Sequence, residues 1–407
     1  MSNRRQNEKV PHAGRGLAMR VLHIITTLAE GGAEHQLRLL VRRLPYDCEV
    51  VTLSRPGAVA AAMRADGTTV HEVLTTRDRD LSAVIRLSRL IRLGHFDVVH
   101  THLYRACVQG LLAARLAGVR HVVATEYHLG GAGGARALYL IGDRLGLLTI
   151  AASEQIADRL RALGVPDERI TVIPKAIDAT EFGYDPALRA AARERLGIAP
   201  DARVIGGLGR LEPGKRFDRL IRAVGEVPGA DLLLVGDGSA RPALERLAVI
   251  EGVADRVTFA GAVGHAREML CAMDVFASPS DEDTFGLVVL EALASGLPAL
   301  YATCPPLEQL AAARSAVSGT ERLSPHDRES LPRKLRTELL SLQERDGARL
   351  PVRTAGERYD AAELAASVGL LYERMADGRS PTRRGTREQS SITRPNDAKR
   401  RRRRRAM

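Results

Sequence analysis

Short apolar runs alternate along this chain with longer stretches in which apolar positions recur every three or four residues. Continuous runs suit strands buried on both faces of a parallel sheet, and the helical recurrence suits helices that cover such a sheet. The pattern predicts strands over residues 21–26, 48–53, 96–100 and 121–125, with helices over 33–43 and 108–117, the latter ended by Gly118. After a further strand at 170–174 the alternation pauses through residues 178–200, which are rich in Ala, Pro and Asp. It restarts with strands at 204–209, 232–235, 257–259 and 275–277 and helices at 217–227, 242–249 and 287–294; a last helical pattern covers 361–375. Two successive βα units joined near residues 184–200 account for this, an α/β chain of two Rossmann-like domains. Ligands of open parallel sheets sit beyond the C-terminal strand ends, so binding is expected in a cleft between the units. No repeat of 20–50 residues appears, which excludes a solenoid.

Length and charge refine this picture. A chain of 407 residues exceeds one ordinary core. The net charge of +11 invites a nucleic-acid reading, but residues 378–407 hold twelve basic against two acidic residues, and residues 1–18 hold four against one. The part between them carries −2, so nucleic acid is not the expected partner. Both termini are poor in apolar residues and are expected to be disordered, the second ending in Lys399 and Arg400–Arg405. The bland reading of such tails is solvated chain; the sharper one is peripheral docking of the Arg-rich tail on an anionic membrane surface. No apolar run long enough for a membrane span is present, and residues 1–18 lack the apolar segment of a signal peptide. Cys48, Cys107, Cys271 and Cys304 form no CxxC pair, so neither zinc nor disulfides are expected and a cytoplasmic enzyme is the default.

The densest chemistry lies in Asp283-Thr-Phe285-Gly286-Leu287, which leads into a short apolar helix carrying Glu291. A Gly-containing turn feeding a helix offers free backbone N–H groups and a positive dipole end, which suits phosphates. A carboxylate further into the helix suits sugar hydroxyls. At the head of the second unit, Gly209-Arg210-Leu-Glu-Pro213-Gly214-Lys215-Arg216 nearly spells a phosphate-binding P-loop, but Arg216 replaces the metal-binding hydroxyl and Pro213 removes a donor. Only five lysines occur in the chain, which favours a specific role for Lys215. In the first unit, Gly31-Gly32-Ala33-Glu34 marks a strand-to-helix turn, and His100-Thr-His102 and Glu126-Tyr-His128 follow strands. The acidic triplets Asp78-Arg-Asp80 and Asp281-Glu-Asp283 have a metal-binding DxD form that arises often by chance.

The spacing of Asp283 and Glu291 resembles the Glu-x7-Glu signature of retaining, nucleotide-sugar-dependent glycosyltransferases of family 4, with Asp in place of the first Glu. The resemblance spans residues 19–377 and implies a GT-B fold, two Rossmann-like domains facing a cleft. It implies an acceptor-side domain over 19–183, a donor domain over 184–360 and a helix, 361–377, packing back on the first domain. Arg210 and Lys215 match the cations that such enzymes present to the donor diphosphate. His100 or His102 matches a histidine near the reacting centre. Gly31, Gly32, Gly209, Asp283, Phe285, Gly286, Leu287 and Glu291 match donor-binding positions. The implied substrates are a nucleotide-diphosphate sugar and a glycan or lipid-linked acceptor, in surface polysaccharide or glycolipid synthesis, without a metal or other cofactor. Lys175 and Ala176 replace the Asn and Gly of the family's hinge, and Pro305-Pro306 stands where members carry a Gly-Gly loop ahead of an acid, here Glu308. These departures keep a second class open: a two-domain protein that binds nucleotide or glycan without turnover.

Overall fold

The computed structural model describes residues 19–377 except 30, 76–79, 128–141, 143–145, 265, 282, 284, 313–318, 325–326, 328, 345–347 and 351–358. The two tails, Asp78, His128 and Glu282 of the sequence reading lie outside the described residues.

Seven parallel strands form the first sheet: β1 (Arg20–Ile25), β2 (Asp47–Thr52), β3 (Thr69–Glu72), β4 (Val98–His102), β5 (His121–Glu126), β6 (Leu147–Ala151) and β7 (Ile170–Val172), in the order β3-β2-β1-β4-β5-β6-β7. Between them run α1 (Gly32–Arg43), α2 (Ala58–Ala65), α3 (Leu81–Gly94), α4 (Tyr104–Ala117) and α5 (Glu154–Ala162). After α6 (Pro186–Leu196) a second sheet of β8 (Arg203–Leu208), β9 (Ala230–Val235), β10 (Val257–Gly261), β11 (Val275–Ser278), β12 (Ala299–Tyr301) and β13 (Thr320–Arg322) takes the order β10-β9-β8-β11-β12-β13. Its helices are α7 (Phe217–Gly225), α8 (Arg241–Ile250), α9 (Arg267–Ala272), α10 (Leu287–Ala294), α11 (Pro305–Ala312) and α12 (Ser330–Glu344), and α13 (Ala361–Ala376) follows. In both sheets the winding reverses beside the first strand, β1 against β4 and β8 against β11, and a crevice opens at such a switch point. The central strands are fully buried on both faces, as Val21, Leu22, Ile24 and Ile25 of β1 illustrate. No helix among the described residues is long and apolar enough to cross a membrane.

The segment expected to join the domains is instead the helix α6. Its stop and start signals were present: Asp185 caps the Ala187 N–H at 2.8 Å, Pro186 opens the first turn, and Gly197 ends the helix at φ 69°. The helix belongs to the second domain through a buried ionic knot. Arg193, 2% exposed, donates to Asp274 at 2.9 Å, and Arg189 donates to the other carboxylate oxygen at 2.7 Å. The Val204 N–H adds a third bond to Asp274 at 2.8 Å. Taking the charge from Asp274 leaves Arg193 buried without a counter-ion, which is costly in a dry interior. Asp274→Asn is therefore expected to lower unfolding free energy by about 2 kcal/mol, read as a lower urea midpoint at constant slope; an unchanged midpoint would refute the ionic account.

The chain crosses between domains at Ile177, whose bridge to Asp360 sets the outgoing and returning strands side by side. This is earlier than the boundary expected at residue 183, and Ala179 and Phe182 already pack against the core of the second domain. Beyond the return crossing, α13 lays Ala365, Val368, Leu371 and Tyr372 on the first domain's Val21, Leu40, Val98 and Ile150.

Candidate active site

In the second domain, the turn after β8 and the N-terminus of α10 come together at one point. Gly209, at φ 146°, closes the strand, and its carbonyl lies so near Gly236 that a Cβ there would stand 1.9 Å away. The turn delivers Lys215, whose Nζ donates to Asp283 Oδ2 at 2.9 Å. The other oxygen of Asp283 accepts from the Phe285 and Gly286 N–H groups at 3.1 and 2.7 Å. Burial opposes the charge of Asp283, but Lys215 and these two N–H groups outweigh it and hold the carboxyl below the ordinary aspartate range. Gly286 takes φ 80° at the N-cap of α10, and a Cβ would stand 2.7 Å from Cys304 Sγ, so glycine is required on both counts. Among the described residues no side chain caps this end of α10, a helix start of the kind that suits an anion.

Glu291 lies one turn further along α10. Its half-buried carboxyl has no hydrogen-bond or ion-pair partner among the described residues, and desolvation pushes it up to about 7. Arg210 is exposed, without a charged partner within bonding reach among the described residues. The DxD pair is already neutralised by cations, Asp283 by Lys215 and Asp281 by Arg216 and Arg219. Asp80, of the other such triplet, caps α3 by accepting from the Ala83 N–H at 3.1 Å. Pro305-Pro306 opens α11, where N–H groups have no helical partner anyway, and Glu308 reaches back to the Cys304 N–H at 3.1 Å.

The first domain meets this constellation through its glycine turn. Gly31 is extended at φ 179°, and a Cβ on it would stand 2.4 Å from Glu34 Oε2. A Cβ on Gly32 would face Leu287 Cδ1 at 3.8 Å, so the start of α1 stands opposite the start of α10.

The two histidines of β4 are not at the cleft surface. Both are 0% exposed, as is His23 of the neighbouring β1, and all three lie on the sheet face that α13 covers. His100 bonds Tyr372 at 2.5 Å and Thr125 at 2.7 Å; His102 bonds His23 at 3.1 Å and Tyr127 at 3.0 Å. Desolvation first, then neighbouring imidazoles, hold His100 and His102 well below the ordinary histidine range, and burial holds His23 at about 3. The ligand atoms of this triad lie within 4.8 Å of one another, but the hydroxyls and imidazoles occupy every ring nitrogen except His23 Nε2. The triad holds Tyr127 and Thr125 by hydrogen bonds, and His100 and His102 are enclosed by protein where the sequence led to the expectation of a histidine facing the gap.

Lys175, expected from the sequence only as a departure from the family's hinge, proves to lie between the two domains. It rises from the hinge, where Gln36 clasps Ala176 by accepting its N–H at 2.9 Å and donating to its carbonyl at 2.6 Å. Its Nζ stands 5.8 Å from the Tyr127 ring of the first domain and 5.7 Å from the Phe285 ring of the second. Burial lowers it to about 8, against the pull of Asp283 and with the repulsion of Lys215. The replacement of Asn by Lys within a hinge-like segment was the available signal.

Comparison with known proteins matches residues 30–181 to the model described as Glycosyltransferase Family 4 and residues 202–337 to the one described as Glycosyl transferases group 1. The chain is 30% identical over 390 residues to the D-inositol 3-phosphate glycosyltransferase of Thermobispora bispora, covering 87% of each. It is 30% identical over 322 residues to the protein of that name from Nocardia farcinica, covering 70% of this chain and 69% of that one. Among solved structures, Anabaena Alr3699/HepE in complex with UDP and glucose superposes with a TM-score of 0.72 at 20% identity, over 87% of this chain and 99% of that one. WaaG, a glycosyltransferase involved in lipopolysaccharide biosynthesis, superposes with a TM-score of 0.58 at 20% identity, over 89% of this chain and all of that one.

Proposed function

We propose a reaction for a chain that belongs to glycosyltransferase family 4 and has the GT-B fold: a nucleotide-sugar-dependent transfer to an acceptor hydroxyl that keeps the configuration of the anomeric carbon. The observation that carries this reading is Lys215, held by Asp283 beside the uncapped start of α10 and opposite Gly32. Breaking the bond between the anomeric carbon and the phosphate oxygen builds negative charge on the departing diphosphate. Cations and helix N–H groups fixed beforehand in a water-poor gap stabilise that charge more in the transition state than in the bound donor. Lys215 and Arg210 supply the cations in this proposal, and the Phe285-Gly286-Leu287 backbone and Asp283 orient the donor. The unpartnered carboxylate of Glu291 accepts bonds from the ribose hydroxyls, which offset its desolvation. The acceptor oxygen attacks the face the diphosphate leaves, and its proton passes to a phosphate oxygen. No metal is assigned a role in this scheme.

Gly31 and Gly32 let the acceptor approach across the gap. The acceptor is a glycan, a lipid-linked sugar or a small metabolite; the relatives carry D-inositol 3-phosphate in their name, which makes it the first acceptor to offer. The test is a panel of UDP-, GDP- and ADP-sugars, with product configuration read by NMR. Turnover with one donor and retention is the expected result. Tight nucleotide binding without hydrolysis or transfer would replace this reading with a non-catalytic binder.

A further inference from the structure

Lys175 is 8% exposed as a residue, yet its ammonium makes no hydrogen bond or ion pair with any described residue. A buried ammonium in that condition is costly unless an anion completes its surroundings. We infer that Lys175 is a third cation of the donor site, supplied by the interdomain hinge, and that it contacts the diphosphate of the nucleotide sugar. The inference rests on the reading that the donor is a nucleoside-diphosphate sugar.

The surroundings point to an anion of more than one charge. From the turn after β8 comes Lys215, and from the loop before α10 comes Asp283, the two already paired with each other. The Phe285 ring from that loop and the Tyr127 ring from the end of β5 flank Lys175 without neutralising it. From α1, Gln36 is engaged with the hinge backbone, and Glu34 acts on Tyr127. From α13, Leu364 and Val368 line the same small cavity and carry no charge. Lys215 is thus already matched by Asp283, while no described carboxylate stands within ion-pair distance of Lys175. Because Lys175 touches a ring from each domain, an anion bound there engages the hinge and both lobes together, so donor binding and interdomain geometry are linked.

A consequence is proton uptake. The empty site holds Lys175 at about 8, and a diphosphate would raise it, because opposite charge favours the ammonium. Binding then weakens as pH rises past about 8, by up to about tenfold per pH unit while the complex stays protonated. The experiment titrates UDP, GDP and ADP into the full chain between pH 6.5 and 9.5, using wild type, Lys175→Met and Lys175→Arg. Wild-type affinity is expected to fall about tenfold across this range. The Arg variant, whose charge does not titrate there, is expected to lose the fall above pH 8 and to keep only the contribution of groups such as Glu291, which titrates lower, and so controls for every other titrating group. The Met variant is expected to bind at least tenfold more weakly at pH 7, also without the fall above pH 8, and to melt no lower than wild type, since it removes an unpaired buried charge. Wild-type affinity and pH profile retained by the Met variant would overturn the role of Lys175 alone. Failure of wild type to bind any of the three nucleotides would overturn both this inference and the donor reading beneath it.

Discussion

Lys215→Ala is expected to lower kcat/KM by about 10²–10³, the range for losing one preorganised transition-state donor. The ammonium stands at the meeting of the β8 turn and the start of α10, and its 2.9 Å contact with Asp283 fixes its direction. The substitution also has a structural consequence. Asp283 is largely buried and holds its charge against desolvation chiefly through Lys215, so removing Lys215 strands a carboxylate at the mouth of the donor site. The double variant Lys215→Met with Asp283→Asn separates the effects. Asn keeps an oxygen for the Phe285 and Gly286 N–H groups, so the double variant is expected to recover the melting temperature of wild type while remaining as slow as Lys215→Ala. Steady-state kinetics and a thermal melt on the same samples decide the matter. A rate near wild type in either variant would remove Lys215 from the chemistry.

Glu291→Gln separates stability from activity in the opposite direction. Desolvation raises this carboxyl from 4.5 to about 7 with no partner to compensate. A folded-state value above the unfolded one means that stability is greatest below about 4.5 and declines as pH rises through about 7. At pH 8 the ionised side chain costs on the order of 2 kcal/mol after allowance for its partial contact with solvent. Gln has no such charge, so the empty variant is expected to melt a few degrees higher than wild type at pH 8, with the gap closing near pH 5. Turnover is expected to fall, by about 10–100-fold for Gln, since a bond from a hydroxyl to a charged acceptor is worth roughly 1.5–3 kcal/mol. Glu291→Ala removes the acceptor outright and is expected to fall further, toward 10²–10³. A thermal melt across pH together with donor KM checks both halves; equal melting at pH 5 and pH 8 would contradict the desolvated, unpartnered state of the carboxylate. Residues that destabilise the empty protein while serving a ligand are the usual mark of a binding site.

Much of the architecture was readable because each strand has to be apolar on both faces and each covering helix on one. The start of α1, the span of α10 and the whole of β11 fall within a residue or two of the pattern in the chain. The outer strands β3 and β13 escape this reading, since edge positions bury little and carry polar residues such as Thr69, His71 and Glu321; the short buried strands β6 and β12 are also absent from the predicted set. The helix α6 was hidden for a different reason. Its composition resembles a linker, and the side chains that fix it, Arg189 and Arg193, find their partner Asp274 some eighty positions later. Local propensity is a weak guide where a tertiary ion pair decides.

The donor half of the site was legible because its parts are close in sequence: Gly209 and Lys215 share one turn, and Asp283, Gly286 and Glu291 share another. Turn chemistry and helix ends are local properties, so the chain itself states that two phosphate-suited turns exist. What the chain cannot state is which distant groups fill the space between them. The i, i+2 spacing of His100 and His102 places both on one face of β4, but whether that face meets solvent, substrate or protein depended on α13, which arrives more than 250 residues later with Tyr372. Lys175 reads as an ordinary hinge substitution until Tyr127 and Phe285, from different domains, are seen on either side of it. Sequence alone determined the alternation of elements and the local form of each turn, because hydrophobic burial and backbone geometry act over a few residues. Tertiary structure decided burial, charge state and company, because desolvation and Coulomb forces depend on distance in space and take no account of distance along the chain.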